Sequence, residues 1–126
     1  MHIRTLSLVV VAALAALLLA GRASSRPNAV PTLVGTTGPS FTITLKRAGK
    51  AVKTLKPGTY RIVVNDKASI HNFVLEKSKG GTFERSITSV GFVGTKTLTV
   101  KLTKGSWEFY CRPHEQAGMK GEFTVK

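Results

Sequence analysis

Residues 105–126 read GSWEFYCRPHEQAGMKGEFTVK, and they form two alternating segments separated by a loop. In the first segment, Trp107, Phe109 and Cys111 occupy every second position, and in the second Phe123 and Val125 do so. A period of two is typical of a β-strand with one buried face. This region therefore predicts two strands, joined by a loop that carries a cysteine, a histidine and a methionine.

The same alternation recurs upstream of this region, whereas helical periodicity does not. The alternating apolar sets are Phe41, Ile43 and Leu45; Tyr60, Ile62 and Val64; and Leu98, Val100 and Leu102. Glycine and proline residues at 48–50, 56–58, 80–81 and 104–105 supply turns between them. Half-buried antiparallel strands in a chain of this size predict an all-β sandwich or barrel. Residues 77–94 allow either a loop or a distorted strand pair.

The composition narrows the class of protein. The chain has 126 residues, with 19 Lys and Arg against 6 Asp and Glu, which gives a formal net charge of +13. It contains one cysteine and three histidines. This length predicts one domain, and the single cysteine excludes an intramolecular disulfide, cysteine-rich zinc modules and iron–sulfur clusters.

The N-terminal residues are typical of a secretory leader. Residues 6–20 are apolar and uncharged, Arg4 precedes them, and small residues follow. This pattern predicts a signal peptide at 1–23, cleaved after Ala23, a linker at 24–31 and a folded domain at 32–126. The alternative is an uncleaved membrane anchor, although 15 apolar residues fall short of the roughly 20 that span a bilayer. In either case the domain is expected to be exported, to the periplasm, another extracytoplasmic space or the medium.

Four side chains of the predicted mature chain suggest a metal site. His71 shares its strand face with Phe73, and Cys111 is followed by His114 and Met119 in a C-x2-H-x4-M arrangement. Alone, each has an ordinary explanation as a core residue. Together they provide two imidazoles, a thiolate and a thioether, which is the donor set of blue-copper electron-transfer sites. Zinc also binds Cys and His, but no fourth hard ligand is evident.

The segment 109–121, FYCRPHEQAGMKG, resembles the ligand loop of plastocyanin-like cupredoxins, and 70–73, IHNF, resembles their first ligand motif. The resemblance implies a Greek-key β-sandwich over residues 32–126 with one mononuclear type 1 copper. It makes His71, Cys111 and His114 the equatorial ligands and Met119 the axial ligand.

The resemblance also suggests roles for residues around these ligands. Asn72 matches an asparagine that ties the first ligand strand to the cysteine segment, and Pro113 matches a proline of the ligand loop. Ala117 and Gly118 match small residues that leave the edge of His114 reachable, so these three residues would form the electron-transfer surface. The acidic recognition patch of plant plastocyanins has no evident counterpart in the sequence.

These observations predict an exported electron carrier rather than an enzyme, because one closed site would use both mature histidines. An exported copper carrier or storage protein and a metal-free interaction module are the alternatives. The leader contains two arginines, so its cleavage would leave 17 basic and 6 acidic residues. This excess favours a redox protein partner with an acidic surface, or an anionic membrane surface, although it is also explained by solvated strand faces. No nucleic acid is expected as a partner, and the chain is expected to be a monomer.

Overall fold

Ten β-strands and one 3-10 helix make up the regular structure of residues 27–126, the part of the chain that the computed structural model describes. The strands are β1 (Thr32–Thr37), β2 (Ile43–Arg47), β3 (Lys50–Ala51), β4 (Thr54–Leu55), β5 (Gly58–Asp66), β6 (Phe73–Lys79), β7 (Glu84–Thr88), β8 (Gly94–Leu102), β9 (Gly105–Tyr110) and β10 (Lys120–Val125). The 3-10 helix, Arg112–Ala117, connects β9 to β10.

The strands form two five-stranded sheets. The order in the first sheet is β3-β2-β1-β5-β8, and the order in the second is β4-β10-β9-β6-β7. Two pairs are parallel, β1 with β5 and β4 with β10, and the other pairs are antiparallel. The predicted all-β sandwich is confirmed, but the expectation of antiparallel pairing fails for these two pairs. Their chain connections pass between the sheets, which places sequentially distant strands side by side.

The core lies between the inner faces of the two sheets, where the predicted alternation places its apolar side chains. Trp107 and Phe123 stack with their ring centroids 6.3 Å apart, and Phe73 and Phe109 stack at 5.7 Å. Gly121 lies against this second pair, where a β-carbon would overlap the Phe109 ring. Packing of this density leaves little freedom to β9, which leads directly into Cys111.

The structure corrects the prediction for the start of the second strand. The alternation predicts that Phe41 points inward with Ile43 and Leu45, but β2 begins at Ile43 and the side chain of Phe41 is 62% exposed. The chain turns just before the strand, because the Gly38 N–H donates to the carbonyl oxygen of Thr42 at 2.9 Å. The alternation of β2 therefore does not extend back to Phe41.

Residues 77–94, which allow either a loop or a distorted strand pair, contain the end of β6, a loop and β7. The strand partner of β7 lies upstream of this segment, because β7 pairs antiparallel with residues 73–76 of β6, with a register shift at Phe73/Val74. β8 begins at Gly94. Residues 27–31 have no regular secondary structure, and β1 begins at Thr32. The predicted signal peptide, 1–23, lies outside the described residues, so the leader and the division at 24–31 stay predictions.

Candidate metal centre

Three elements bring His71, Cys111 and His114 together at one end of the sandwich. His71 lies two residues before β6, Cys111 directly follows β9, and His114 lies in the 3-10 helix. Antiparallel pairing of β6 with β9 places Val74 opposite Tyr110, so the two segments that carry His71 and Cys111 leave the sheet side by side. The fold thus joins residues that are 40 positions apart in the sequence.

The three donor atoms face one another. The Cys111 Sγ lies 3.7 Å from the His71 Nδ1 and 3.4 Å from the His114 Nδ1, and the two Nδ1 atoms are 3.1 Å apart. The point in their plane that is equidistant from all three is about 2 Å from each, close to the length of a bond from a metal ion to an imidazole nitrogen. The spacing and the chemistry of these donors therefore fit one metal ion.

Burial distinguishes the two histidines. His71 and Cys111 have no exposed surface, whereas His114 is only partly covered. A buried cysteine beside two ring nitrogens is shielded from bulk solvent, and the site opens to the surface only on the side of His114. One side of the metal centre is therefore enclosed by the core, and the other is accessible.

Two backbone hydrogen bonds hold Met119 next to Cys111 and His114. The Cys111 N–H donates to the Met119 carbonyl oxygen at 3.0 Å, and the Met119 N–H donates to the His114 carbonyl oxygen at 3.2 Å. Its side chain is only 2% exposed. The segment from Cys111 to Met119 is thus a closed loop whose two ends are bonded to each other.

The local sequence explains the shape of this loop. Cys111 is extended, Pro113 follows at the start of the 3-10 helix, and the proline ring fixes a backbone angle that suits a helical turn. Gly118 ends the helix in the left-handed conformation, with φ of 88°, which glycine adopts without a steric penalty. Pro113, Ala117 and Gly118 are all exposed, and they lie beside the partly exposed His114.

Asn72 connects the two halves of the site. Its Oδ1 accepts a hydrogen bond from the Arg112 N–H at 2.8 Å, and its own carbonyl oxygen accepts one from the Thr37 hydroxyl at 3.3 Å. Asn72 is 4% exposed and lies next to His71, and Arg112 lies next to Cys111. Both strand ends that carry a donor are therefore fixed to each other through a buried side chain.

Sequence reasoning missed one residue that contacts the site. The ring of Phe41 packs edge-on against His71, with centroids 5.5 Å apart, and against His114, with centroids 4.8 Å apart. The turn signal Gly38-Pro39-Ser40 just before it could have indicated that the strand starts later. The residue would then have been read as part of a turn rather than of the core.

A polar network covers the opposite side of the cysteine segment. The Tyr110 hydroxyl donates to Glu84 Oε1 at 2.5 Å, and the Arg112 guanidinium pairs with the same oxygen. These two contacts lower the pKa of Glu84, and burial together with the hydrogen bond to Glu84 raises the pKa of Tyr110. The phenol therefore stays protonated and buried, although the alternation of β9 places it on the outer face of the sheet.

Strand register also assembles a row of carboxylates on the outer face of the second sheet. Glu108 lies opposite Glu122 on β10 and opposite Glu76 on β6, and Glu76 lies opposite Glu84 on β7. Partial burial, together with the neighbouring glutamates, raises the pKa of Glu108, although Lys120 opposes this effect. Four of the six acidic residues of this basic chain thus occupy one row.

A two-sheet sandwich with two imidazoles and a thiolate at one end defines the class of mononuclear cupredoxins, and comparison with known proteins gives the family. Residues 49–126 match the family model described as copper binding proteins, plastocyanin/azurin family. The chain belongs to this family, as the resemblance in its ligand loop implied. Its cofactor is therefore copper, with His71, Cys111, His114 and Met119 positioned as a single site.

Curated relatives agree with this assignment. Plastocyanin from Nostoc punctiforme is 32% identical over 83 residues, which are 58% of this chain and 60% of the relative. Plastocyanin from Daucus carota is 38% identical over 66 residues, or 48% of this chain and 68% of the relative. The match to the Nostoc protein thus spans less than two thirds of that protein.

Solved structures share the fold at low sequence identity. Rusticyanin matches with a TM-score of 0.56 and 17% identity, over 75% of this chain and 76% of that one. Dithionite-reduced auracyanin from Roseiflexus castenholzii matches with a TM-score of 0.54 and 20% identity, over 76% and 97%. At this identity the likeness supports the cupredoxin fold alone. Within residues 27–126, no helix has the length and apolar character needed to cross a membrane.

Proposed function

We propose that this protein is an exported type 1 copper protein that carries single electrons between redox partners. His71, Cys111 and His114 would be the equatorial ligands, and Met119 would be the weak axial ligand. The observation that carries the proposal is the convergence of the Cys111 Sγ and two Nδ1 atoms within 3.7 Å of one another. A thiolate, two imidazoles and a thioether suit an ion that alternates between Cu(II) and Cu(I).

The protein's own part is to hold these donors in one arrangement. Asn72 joins the His71 segment to the Cys111 segment, and the backbone bonds of Met119 close the ligand loop. A rigid donor set that suits both oxidation states leaves little to rearrange when an electron arrives or leaves. Copper, when bound, supplies the one-electron redox chemistry, and it needs no proton or substrate from these residues.

We assign the electron-transfer surface to the partly exposed edge of His114. Pro113, Ala117 and Gly118 are exposed beside it, and small side chains at 117 and 118 allow a partner to approach the ring closely. Ile70, at 50% exposure, adds an apolar side chain next to His71. A redox protein that docks there would exchange electrons through the imidazole of His114.

The charge of the chain bears on the choice of partner. The excess of 17 basic over 6 acidic residues that leader cleavage would leave favours an acidic redox protein or an anionic membrane surface, because opposite charge accelerates encounter. We further propose that nucleic acid is not a partner. We propose that the protein is not an enzyme, since both histidines of the described chain lie in one site. We also propose that it acts as a monomer.

A copper titration with visible spectroscopy tests the proposed function. Purified protein should bind one Cu(II) and turn intensely blue, because the bound ion absorbs light by charge transfer from the Cys111 thiolate to Cu(II). The substitution Cys111→Ser should abolish the colour. A wild-type protein that stays colourless would refute the ligand assignment. Loss of Cu(I) to an acceptor within one redox cycle would instead indicate a copper carrier.

Export needs a separate test, because it depends on the leader alone. Full-length chain expressed in a bacterium with an extracytoplasmic space should be recovered there, and N-terminal sequencing should begin at Ser24 after cleavage. A protein that keeps residues 1–23 and partitions with membranes would support the uncleaved anchor. Recovery in the cytoplasm alone would contradict export.

A further inference from the structure

Phe41 is an exposed apolar side chain that nevertheless contacts the metal centre. Its side chain is 62% exposed, more than any other large apolar side chain that is exposed in residues 27–126. Yet its ring makes edge-on contacts with both imidazoles of the site, at interplanar angles of 81° to His71 and 87° to His114. A phenyl ring that is costly to expose therefore lies between solvent and the two histidines.

The backbone holds this ring in position. The Gly38 N–H donates to the Thr42 carbonyl oxygen at 2.9 Å, which closes the turn that carries Phe41. Gly38 itself lies against His71, since a β-carbon at this position would be 2.8 Å from the His71 Cδ2. The turn from residue 38 to residue 42 is thus seated on His71, and Phe41 extends from it to His114.

We propose that Phe41 is a positioning residue for the copper site, an inference that rests on the proposed function. Its ring fixes the mutual angle of the two imidazoles and keeps water away from them. It thereby raises the reduction potential and slows the loss of copper. Edge-on contacts between aromatic rings stabilise a pair beyond the area they bury, and both contacts here involve a metal-binding histidine.

The direction of the effect on the potential follows from charge. With one thiolate and two neutral imidazoles, the Cu(II) site carries one more positive charge than the Cu(I) site. An apolar cover disfavours the more highly charged state, so it favours Cu(I). Removal of the cover admits water, stabilises Cu(II) and lowers the potential.

Copper retention follows from the position of the ring. His114 is the only partly exposed member of the donor set among the described residues, so copper loss begins on its side of the site. Phe41 contacts the His114 ring, and this ring must move before copper can leave. Truncation of Phe41 removes both ring contacts, and we expect copper loss to become about tenfold faster, given the usual strength of such contacts.

The experiment compares four copper-loaded full-length proteins: wild type, Phe41→Ala, Phe41→Leu and Val34→Ala. Val34 is a matched control, because it is also exposed and apolar but lies in the middle of β1, opposite Lys46 and Val63. The measurements are the blue absorption band, the reduction potential by voltammetry and the rate at which a Cu(I) chelator removes the metal. Thermal unfolding of each metal-free protein reports on the fold.

Phe41→Ala should keep the blue band. It should raise the ratio of Cu(II) affinity to Cu(I) affinity by up to about tenfold, which lowers the reduction potential by as much as ~59 mV. Chelator transfer should accelerate. Phe41→Leu, which preserves an apolar cover and the fold, should shift both quantities less and in the same direction. Val34→Ala should match wild type in both.

Unchanged potential and transfer rate in folded, blue Phe41→Ala would overturn the inference and leave the proposed function intact. This is also the result expected if Phe41 serves only to contact a protein partner, because that role affects neither the reduction potential nor the rate of copper transfer. If Phe41→Ala does not fold, unchanged values in Phe41→Leu overturn the inference. A wild-type protein without a blue band would overturn the proposed function itself.

Discussion

The Asn72 side chain accepts a hydrogen bond from the backbone N–H of Arg112 at 2.8 Å, across 40 residues of sequence. Asn72 directly follows His71, and Arg112 directly follows Cys111. Because β6 and β9 pair only from Val74 and Tyr110 onward, this side chain continues the connection between the two segments beyond the last pair of the ladder. It holds together the two donors that come from different parts of the chain.

Replacement of this side chain should loosen the site without disrupting the sandwich. In Asn72→Ala, the N–H of Arg112 loses its partner, and we expect a loss of about 1–3 kcal/mol in the free energy of unfolding of the metal-free protein. Copper affinity should fall about tenfold or more. Urea unfolding and copper competition measure the two effects.

Asn65→Ala is a matched control for this prediction. The Asn65 Oδ1 accepts a hydrogen bond from the Thr95 hydroxyl at 3.0 Å, but that contact is exposed, so its loss should cost little. Equal effects of the two substitutions would show that Asn72 has no special part in the site.

The axial role proposed for Met119 gives a prediction for the reduction potential. Met119→Leu keeps an apolar side chain of similar volume but removes the sulfur donor. The blue band should persist, and the potential should rise, since loss of an axial donor disfavours Cu(II). Voltammetry checks the change, and an unaltered potential would place the sulfur away from the metal.

The row of glutamates predicts a dependence of stability on pH. Burial and like charges raise the pKa of Glu108 in the folded protein above its unfolded value. Its contribution to stability is therefore complete below the unfolded pKa and is lost as the pH rises through the folded pKa. Glu108→Gln removes the carboxylate, so it should stabilise the protein at pH 7 by a few tenths to about 1 kcal/mol, less at high salt.

Urea unfolding at pH 4–8 tests this expectation. The difference between Glu108→Gln and wild type should shrink as the pH falls. Glu122→Gln, at the exposed end of the row, should have a smaller effect, because Glu122 lies opposite only one other glutamate. A destabilised Glu108→Gln at neutral pH would mean that the carboxylate is not under repulsion.

The close approach of β10 to the core gives a prediction about packing. In Gly121→Ala, the added β-carbon would overlap the Phe109 ring, which stacks on Phe73. Displacement of this pair should cost about 1–3 kcal/mol of stability. Thr124→Ala, in an exposed position of the same strand, serves as control in thermal unfolding, and equal melting temperatures would contradict the packing argument.

The sequence carries the parts of the structure that depend on local pattern. Period-two alternation located the core strands, and the spacing from Cys111 to Met119 marked a loop that the structure closes with two hydrogen bonds. Phe41 was placed wrongly, because an apolar residue two positions before a strand fits the alternation even when a turn redirects it. Only the tertiary fold shows that its ring reaches both histidines.

Strand register is the other part that the sequence does not reveal. Glu76, Glu84, Glu108 and Glu122 are scattered along the chain, and no local pattern relates them. They form a row only because two consecutive strand pairs, β6 with β7 and β9 with β10, join in one particular register. Likewise, the parallel pairing of β1 with β5 depends on connections between sheets rather than on the residues of either strand.

The direction of β1 determines at which end of the sandwich the described chain enters. β1 runs from Thr32 to Thr37, about 17 Å at the usual rise per residue, and Gly38 then lies against His71. The described chain therefore enters the sandwich at the pole remote from the histidines. A tether attached upstream of Thr32, whether a retained leader or a fused carrier, would hold the molecule at that end. The opposite end, which carries the metal centre, would then stay accessible to other proteins.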